Sequence, residues 1–524
     1  MSASSSKKLK RVGVWIELPP YARWRTEGIG RLTGYIIAGT AHTGVRYDLV
    51  APPWMKEEIE AFIEELPSPA RETTRFRTSP FSALRWNAAL AGQLEARQRD
   101  RKPSALRRWL MGVLEQPSYL GLFFGVILLI LAKLLSLLNP VNWVRSLMRR
   151  FRIRDRVKRR VSSSTLAGFV SLSTVIAAET DANARYANTL GGIDAWLVPY
   201  PGFTGATRLK KPLTLIFPDF VIADYPERFA PVETARLETQ FAKMVAKADR
   251  IISFTEDVRT RHVMGVFGAP KEKTAVIKHC LMDISDVWQG PPPAERTAES
   301  LAYADHVIQA YGRGLLSARK DLRDARMWGA LTDKSRFSDM TFGFCPQQAR
   351  PYKNLPRLIE MAVELNRHRG IPFHLVLSAF VDSNVDTDPL VAAIDRARAW
   401  EFVTLAPGLP SEVHAALYHA ADVAIHPSYF EGGLSFIFGE AVSMGTPCIL
   451  SRNAANLEGM GDAEIADLLF DPSSAKDLAD KVEAVLGDRQ GILNRQRAWM
   501  QKTNTERGWD AVALEYLQVM RRAV

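Results

Sequence analysis

The chain has 524 residues, and its hydrophobic content of 47% is sufficient to bury two ordinary cores. Its net charge is +11, but the segments 97–108 and 145–160 alone carry +5 and +8, so the remainder is close to neutral. Three widely spaced cysteines and nine scattered histidines offer neither a disulfide framework nor metal-ligand spacing, and we expect no metal and no bound cofactor.

The first predicted elements are a strand over Val12–Glu17, a loop containing Arg23 and Arg25, and a helix that follows a glycine-rich turn (GIGR). Glycines after the first strand of a β-α unit let the backbone approach a phosphate closely. Gly30 and Arg31 of this turn are therefore candidate ligand-binding residues, although a GxG pattern alone also fits an ordinary turn.

A run of twenty residues, Tyr119–Leu138, is apolar on every face and is long enough to cross a bilayer. The two basic segments flank it, and Trp109 and Trp143 lie near its ends. This arrangement is typical of contact with an anionic membrane surface rather than with nucleic acid. We therefore predict a hydrophobic helical insertion, about 95–162, that associates with the membrane.

A single crossing by this run is not expected, because it would place the first strand and the rest of its sheet on opposite sides of the membrane. Because both flanks of the run are basic, both flanks are expected to remain in the cytoplasm. The first eighteen residues contain no hydrophobic region of a signal peptide. We expect a monotopic or re-entrant segment at the cytoplasmic face of the plasma (inner) membrane. A buried core helix and a hairpin completed by a second segment are the alternatives.

The second half begins with a strand over Phe342–Cys345, a polar loop, an amphipathic helix over Leu355–Asn366 and a strand over Phe373–Ser378. The loop carries Arg350 and Lys353 at the carboxyl end of the first of these strands. Two fixed cations there suit a leaving diphosphate, because negative charge grows on the leaving oxygen as its bond breaks. Solvated loop residues are the alternative interpretation.

The most informative stretch, 422–451, predicts a β-loop-α-β unit of a parallel sheet. A short apolar strand enters a loop with Gly432 and Gly433, and a helix starts near Leu434 or Ser435. The glycines permit close backbone approach, and the helix start presents free N–H groups and the positive end of the helix dipole. We therefore predict that these residues bind an anion, most simply a phosphate.

Two carboxylates bracket this helix start, Glu431 in the loop and Glu440 within the helix. An acid beside a phosphate site requires a reason, and a carboxylate can accept two hydrogen bonds from a vicinal diol of a sugar. The pattern favours a sugar nucleotide, with its hydroxyl groups on the glutamates and its diphosphate on the amides. His426 lies beside the site, and a functional role and a structural bond to the backbone are both open to it.

The segments HPS, EGG, EA and GTP, in this order, resemble the donor-binding signature of retaining glycosyltransferases of family four, which have the two-domain GT-B fold. The resemblance implies that Glu431 contacts the transferred sugar and Glu440 the ribose. Eight residues separate the two glutamates, one more than is usual, as in an EGGxSF variant of mannosyltransferase-like bacterial members. Lys353 and Arg350 resemble the family's phosphate-binding turn, with Gln347 where many relatives have an arginine.

The resemblance extends to the first half of the chain. Thr214–Asp219 followed by Tyr225–Glu227 resembles the family's HD-containing loop, with Pro218 where a histidine is common. Ala248–Glu256 resembles the last strand and the serine-containing turn of that domain. The histidine that assists on the acceptor side in relatives is thus missing.

The implied fold class is α/β, with two Rossmann-like domains facing a cleft and the hydrophobic insertion in the first of them. Residues 1–290 would form the acceptor domain, and 291–338, rich in charge and prolines, a helical interdomain region. Residues 339–508 would bind the nucleotide sugar, and 509–524 would form a helix that packs back on the first domain.

The implied activity is a retaining, metal-independent hexosyl transfer from a nucleotide-diphosphate sugar, with GDP-mannose favoured and UDP-hexoses close behind. Because the chain is expected at a membrane, the predicted acceptor is a lipid-linked saccharide of bacterial-type surface polysaccharide or glycolipid synthesis, whose phosphates Arg23, Arg25 and Arg31 would hold. The substitutions at Pro218 and Gln347 leave a second hypothesis, a catalytically inactive membrane scaffold for another transferase. The apolar run disfavours a soluble α-glucan synthase.

Overall fold

The computed structural model describes residues 9–20, 22–80, 172–318, 322–332, 336–379, 388–461 and 465–524. The predicted membrane-associating insertion, about 95–162, lies outside these ranges. Within them, no helix combines the length and the apolarity that crossing a membrane requires.

The strands of the described residues form two sheets. They are β1 (Arg11–Trp15), β2 (Arg46–Val50), β3 (Thr74–Arg77), β4 (Ala195–Val198), β5 (Leu213–Ile216), β6 (Arg250–Ser253), β7 (Thr274–Val276), β8 (Phe342–Cys345), β9 (His374–Leu377), β10 (Val403–Leu405), β11 (Val423–His426), β12 (Cys448–Ser451) and β13 (Leu469–Phe470). The first sheet has the order β3-β2-β1-β4-β5-β6-β7 and the second the order β10-β9-β8-β11-β12-β13.

Helices connect and cover these strands. The α-helices are α1 (Gly28–Gly39), α2 (Lys56–Glu65), α3 (Ser68–Thr73), α4 (Leu172–Ala187), α5 (Val221–Asp224), α6 (Pro231–Lys247), α7 (Ala298–Ala318), α8 (Leu322–Thr332), α9 (Leu355–Val363), α10 (Pro389–Ala397), α11 (Ser411–Ala420), α12 (Phe436–Ser443), α13 (Ala454–Met460), α14 (Ala475–Gly487), α15 (Arg489–Glu506) and α16 (Trp509–Arg521).

The strands of both sheets pair in parallel, and their apolar composition agrees with this pairing. Every residue of β5 and of β11 is buried. Parallel strands are covered by helices on both faces and therefore consist of nearly continuous apolar runs. The prediction of an α/β fold with two Rossmann-like domains is confirmed.

The helices between the two sheets pack on the second domain. α7 lies against α11, and α8 lies against α7 and β10. Ala304 and Ile308 of α7 share a hydrophobic core with Phe342 of β8. The final helix, α16, crosses to the first domain and packs against α1, where the rings of Tyr35 and Trp509 stack with their centroids 4.3 Å apart.

Three details differ from the sequence-based expectations. Helix α1 begins at Gly28, so the glycine-rich turn is itself the first turn of the helix. Arg250–Ser253 is not the last strand of its sheet, because Thr274–Val276 pairs beyond it; a three-residue, half-buried strand leaves too short an apolar run to be noticed. The helix after β8 continues beyond Val363 as the π-helical turns Glu364–His368.

Candidate functional site

The predicted site residues of the second domain meet at the carboxyl ends of β8 and β11. These strands are neighbours at the point where the strand order of the second sheet reverses. The loops that follow two such strands run to opposite faces of the sheet and leave a crevice between them. Lys353 follows β8 and Glu431 follows β11, so the topology alone places both side chains at this crevice.

Lys353, Glu431 and His426 form a hydrogen-bonded cluster. Oε1 of Glu431 accepts from Nζ of Lys353 at 2.5 Å and from Nε2 of His426 at 2.8 Å. Burial opposes the ionisation of Glu431, but Lys353 and His426 outweigh it and lower the pKa of this carboxyl. Burial likewise opposes the charge of Lys353, but Glu431 outweighs it and raises the pKa of the amine. The cluster is therefore a charged Lys–Glu pair with an imidazole bound to its carboxylate.

His426 is the last residue of β11 rather than a loop residue, and its side chain is buried. Burial lowers the pKa of the ring, so the ring is neutral. Because a carboxylate only accepts, the ring proton lies on Nε2, and Nδ1 is buried without a hydrogen-bond partner among the described residues. The bond to Glu431 agrees with a functional interpretation of His426.

Asn354 holds the loop that carries Lys353. Its φ of 57° lies in the left-handed region, which asparagine tolerates better than most residues. Its side-chain amide donates to the carbonyl oxygens of Pro427 at 3.1 Å and Pro472 at 2.8 Å. The loop after β8 is thus tied to the loop after β11, and Lys353 is held where it meets Glu431.

Arg350 lies on the same loop but outside the cluster. The residue is exposed, and its Nε donates to Oε1 of Gln348 at 2.9 Å. Gln347 is buried, and its Nε2 donates to Oγ of Ser428 at 3.3 Å. The structure thus brings Lys353 to Glu431, whereas the role of Arg350 at a diphosphate stays a prediction.

Glu440 forms a second ionic contact, which joins the two domains. Nη2 of Arg31, in the first turn of α1, lies 2.5 Å from Oε1 of Glu440, and the hydroxyl of Tyr418 donates to Oε2 at 2.9 Å. Nε2 of His414 lies 3.9 Å from the same Oε2. Burial opposes ionisation, but Arg31 and His414 outweigh it and lower the pKa of Glu440. The carboxylate is charged, and both of its oxygens are engaged.

Gly432 and Gly433 lie where the second domain packs closely against the first. A Cβ on Gly432 would lie 1.9 Å from the carbonyl oxygen of Pro218, and one on Gly433 would lie 3.1 Å from Cβ of Phe254. The hydroxyl of Thr255 donates to the carbonyl oxygen of Gly432 at 3.2 Å. The absence of side chains at the two glycines therefore permits contact between the domains, and the predicted contact of their amides with a phosphate stays a prediction.

Helix α12 begins at Phe436, so Leu434 lies in the loop before it rather than in its first turn. Leu434 packs against the core of the second domain and against Gly459, where an added Cβ would lie 2.8 Å from Cβ of Leu434. Its side chain thus anchors the loop, and only its backbone remains a candidate for contact with an anion.

The first domain contributes Gly30 and Arg31 to this region. A Cβ on Gly30 would lie 1.9 Å from the carbonyl oxygen of Trp24, so the glycine permits close packing of α1 against the preceding turn. Arg31, one residue further, reaches Glu440. The structure therefore gives Gly30 a packing role and places Arg31 directly at the cleft.

The two domains also touch at the edge of the cleft. The guanidinium carbon of Arg228 lies 4.6 Å from the ring centroid of Tyr429, and the hydroxyl of Tyr225 donates to the carbonyl oxygen of Tyr429 at 3.3 Å. An arginine over an aromatic ring is attracted to its electron-rich face. These contacts hold the cleft in a closed arrangement.

Asp219 is a cleft residue that the sequence indicated only as part of a motif. Its Cβ lies 3.2 Å from the position that a Cβ would take on Gly432. Burial and the nearby Glu431 raise the pKa of Asp219, and Lys353 opposes this effect. A further carboxyl group thus lies beside the Lys353–Glu431 pair.

His262 is a residue of the first domain that sequence reasoning missed. Its Nδ1 accepts from the backbone N–H of Phe220 at 3.2 Å, and its Nε2 lies 2.9 Å from Oδ2 of Asp224. Burial lowers the pKa of the ring to about 4, so the neutral ring donates from Nε2. His262 thereby holds the loop that presents Pro218 to Gly432. A single histidine in a helical stretch gives no signal of such a role.

The charges at the cleft are arranged as two ion pairs, Lys353 with Glu431 and Arg31 with Glu440. The described residues contain no group of three or more His, Cys, Asp or Glu that could hold a metal ion. Lys353 and Arg31 are thus two positive charges of this cleft, and each is paired with a glutamate.

Part of the chain matches a known protein family. Residues 334–506 match the family described as glycosyl transferases group 1. Over 182 residues the chain is 30% identical to an MMP alpha-(1->4)-mannosyltransferase of Mycolicibacterium hassiacum, and the match covers 33% of this chain and 41% of that protein. Over 107 residues it is 34% identical to a glycogen synthase of Mycobacterium tuberculosis, and this match covers 20% of this chain and 25% of that protein. The chain thus spans less than half the length of either relative.

Solved structures resemble nearly the whole chain. Sucrose-phosphate synthase from Thermosynechococcus elongatus matches with a TM-score of 0.54 at 14% identity, over 98% of both chains. Anabaena HepE in complex with UDP-glucose matches with a TM-score of 0.55 at 10% identity, over 98% of this chain and 99% of that one. The predicted GT-B fold is confirmed.

Proposed function

Residues 334–506 match the family of glycosyl transferases group 1, and from this premise we propose that the chain moves a hexose from a nucleotide-diphosphate sugar to an acceptor with retention at the anomeric carbon. The observation that carries the proposal is the pair of glutamates on opposite sides of α12's start, Glu440 buried and Glu431 half-buried, each held by a cation. Carboxylates fixed in this way present oxygens to sugar hydroxyls, and the cations compensate a diphosphate.

The proposed roles follow from the contacts. Lys353 stabilises the charge that develops on the leaving diphosphate, and Glu431, which Lys353 and His426 hold, binds hydroxyls of the transferred sugar. Glu440 binds the ribose. The acceptor oxygen attacks the anomeric carbon from the face that the diphosphate leaves, and a leaving phosphate oxygen takes the acceptor proton. No protein base is required, so Pro218 in place of a histidine is compatible with activity.

Mannose is the favoured hexose in this proposal. The EGGxSF pattern supports it, and so does the M. hassiacum relative, which is named a mannosyltransferase. Glucose donors are the alternative, because the Anabaena structure holds UDP-glucose. GDP-mannose and UDP-hexoses are therefore the donors to test first.

Slow donor hydrolysis without an acceptor tests the proposal. We expect the purified protein to release nucleoside diphosphate from one of GDP-mannose, UDP-glucose and UDP-N-acetylglucosamine, with the released sugar initially in the α configuration of the donor. Glu431→Gln should lower this release about tenfold or more, because it removes the charge that Lys353 and His426 hold. Coupled detection of the diphosphate and NMR of the anomeric proton measure the two results. No release from any donor would favour the inactive scaffold.

The acceptor is proposed from the sequence outside the described residues. The apolar run Tyr119–Leu138 between two basic segments supports association with the cytoplasmic face of the plasma (inner) membrane. A transferase held there would act on a lipid-linked saccharide, with Arg23 near its phosphates, whereas Arg25 is paired with Glu58 and Glu65 of α2. Surface polysaccharide or glycolipid synthesis is the setting that this acceptor implies.

Deleting Tyr119–Leu138 should release the protein from membranes. Flotation with vesicles that contain anionic lipid measures the bound fraction, which we expect to fall from nearly all of the intact chain to a small, salt-sensitive remainder. A variant with glutamines in place of the arginines in 145–160 serves as the comparison, because it should keep the apolar contact and lose the salt-sensitive part. Full binding of the deletion variant would disprove membrane association through this run.

A further inference from the structure

The contact between Arg31 and Glu440 spans the cleft and pairs the two charges. Arg31 belongs to α1 of the first domain and Glu440 to α12 of the second, and their side chains are 28% and 3% exposed. One carboxylate oxygen contacts Arg31, and the other accepts from Tyr418. Because Glu440 is only 3% exposed and Arg31 lies against one of its oxygens, a ribose diol reaches that oxygen only if Arg31 moves aside.

Separating the two partners is unfavourable. A buried carboxylate such as Glu440 that is left without its counter-charge loses far more than the pair itself contributes, and the partly exposed guanidinium of Arg31 loses a smaller amount. A nucleoside that took Glu440 would leave Arg31 unpaired, and a free pyrophosphate that took Arg31 would leave Glu440 with Tyr418 and His414 alone. A nucleoside alone and pyrophosphate alone thus each leave one charge of the pair without a partner. Each would bind more favourably if the other were bound as well.

The position of Arg31 makes an exchange of partners feasible. Its guanidinium carbon lies 5.9 Å from the ring centroid of Phe436, the first residue of α12, and Nη2 lies 2.9 Å from Sδ of Met282. The start of α12 is where the backbone offers unpaired N–H groups and where the proposed diphosphate lies. Arg31 therefore already lies next to the place that the diphosphate would take.

We propose, on the basis of the proposed function, that Arg31 is a positioning residue that selects nucleoside diphosphates by exchanging partners. The ribose takes Glu440 while the diphosphate takes Arg31, and neither step occurs readily without the other. The ligand class that satisfies this site is one molecule that carries both a cis-diol and a diphosphate. Nucleosides and free pyrophosphate bind weakly to the same site.

Calorimetric titration of the full chain with GDP, guanosine and pyrophosphate, and with UDP and uridine, tests the exchange. In the wild type we expect one nucleoside diphosphate to bind and its two fragments to bind far more weakly. Arg31→Met should strengthen nucleoside binding about tenfold and weaken pyrophosphate binding about tenfold, because Glu440 is released and the cation is lost. Arg46→Met, at an exposed arginine of β2, serves as the control and should change neither.

Glu440→Gln tests the same exchange, with the expected changes in affinity reversed. Because glutamine keeps the shape of the side chain, this variant also serves if Arg31→Met fails to fold. Pyrophosphate should then bind about tenfold more tightly, because Arg31 has lost its counter-charge, and the nucleoside more weakly. Wild-type binding of a nucleoside diphosphate together with unchanged fragment affinities in both variants would overturn the exchange and leave the proposed function intact. No binding of any nucleoside diphosphate by the wild type would overturn both.

Discussion

Replacing Lys353 by methionine is expected to lower the rate of sugar transfer by about two to three orders of magnitude, which corresponds to about 2.7 to 4 kcal/mol of lost transition-state stabilisation. The side chain is 17% exposed and is bonded to Glu431, so its charge acts where little water can screen it. Methionine keeps most of the apolar volume and removes the charge. The leaving diphosphate then loses the cation that is proposed to stabilise it.

The kinetic pattern distinguishes this role from a loss of folding. We expect kcat to fall more than KM rises, because the charge on the leaving oxygen grows mainly in the transition state. Lys476→Met is the matched control, since this lysine is exposed in the first turn of α14, and its turnover should stay within about twofold of the wild type. An unchanged rate for Lys353→Met would remove Lys353 from the proposed mechanism.

Gly432→Ala is expected to have the second largest effect, through the fit between the domains. The new Cβ would lie 1.9 Å from the carbonyl oxygen of Pro218 and 2.8 Å from its carbon, and the obstacle is backbone that cannot rotate away. The domains must move apart by an amount on the order of 1 Å, and such a displacement of reacting groups lowers turnover about a hundredfold. Each domain keeps its own core, so the protein should still fold.

Gly487→Ala is the control for this prediction. Gly487 ends α14, and no atom lies within 4 Å of a Cβ placed there. Transfer rates, together with small-angle scattering of the ligand-free protein, measure the effect: Gly432→Ala should be slower and more open, and Gly487→Ala should match the wild type in both. Full activity of Gly432→Ala would show that the closed contact with Pro218 is not needed for transfer.

Local patterns were sufficient for the elements around the site. The strand predicted over Phe342–Cys345 has these bounds in the structure, and the apolar run that ends at His426 is a buried strand. The helix after the glycine pair starts later than predicted, at Phe436, because Leu434 is held in the core before the helix begins. Boundaries depend on such contacts, whereas the existence of an element follows from its own residues.

The partners of the predicted site residues were less accessible to sequence reasoning. Glu431 was predicted at a sugar, and the structure adds that Lys353 and His426 share one of its oxygens. Tyr418 at Glu440, and His262 behind the loop of Pro218, were not predicted at all. Apart from His426, which lies five residues before Glu431, these residues meet their partners from other elements of the fold, and no spacing along the chain encodes such a distance.

By itself, the sequence determined the α/β class, the two parallel sheets and the group of residues at the carboxyl ends of β8 and β11, because apolar periodicity, glycines and fixed charges act over a few neighbouring residues. Only the tertiary structure decided that Arg31 neutralises Glu440 and that Gly432 lies against Pro218. Both contacts arise from the closure of one domain on the other. Closure depends on the shape and charge of two assembled surfaces, which exist only after each sheet has folded.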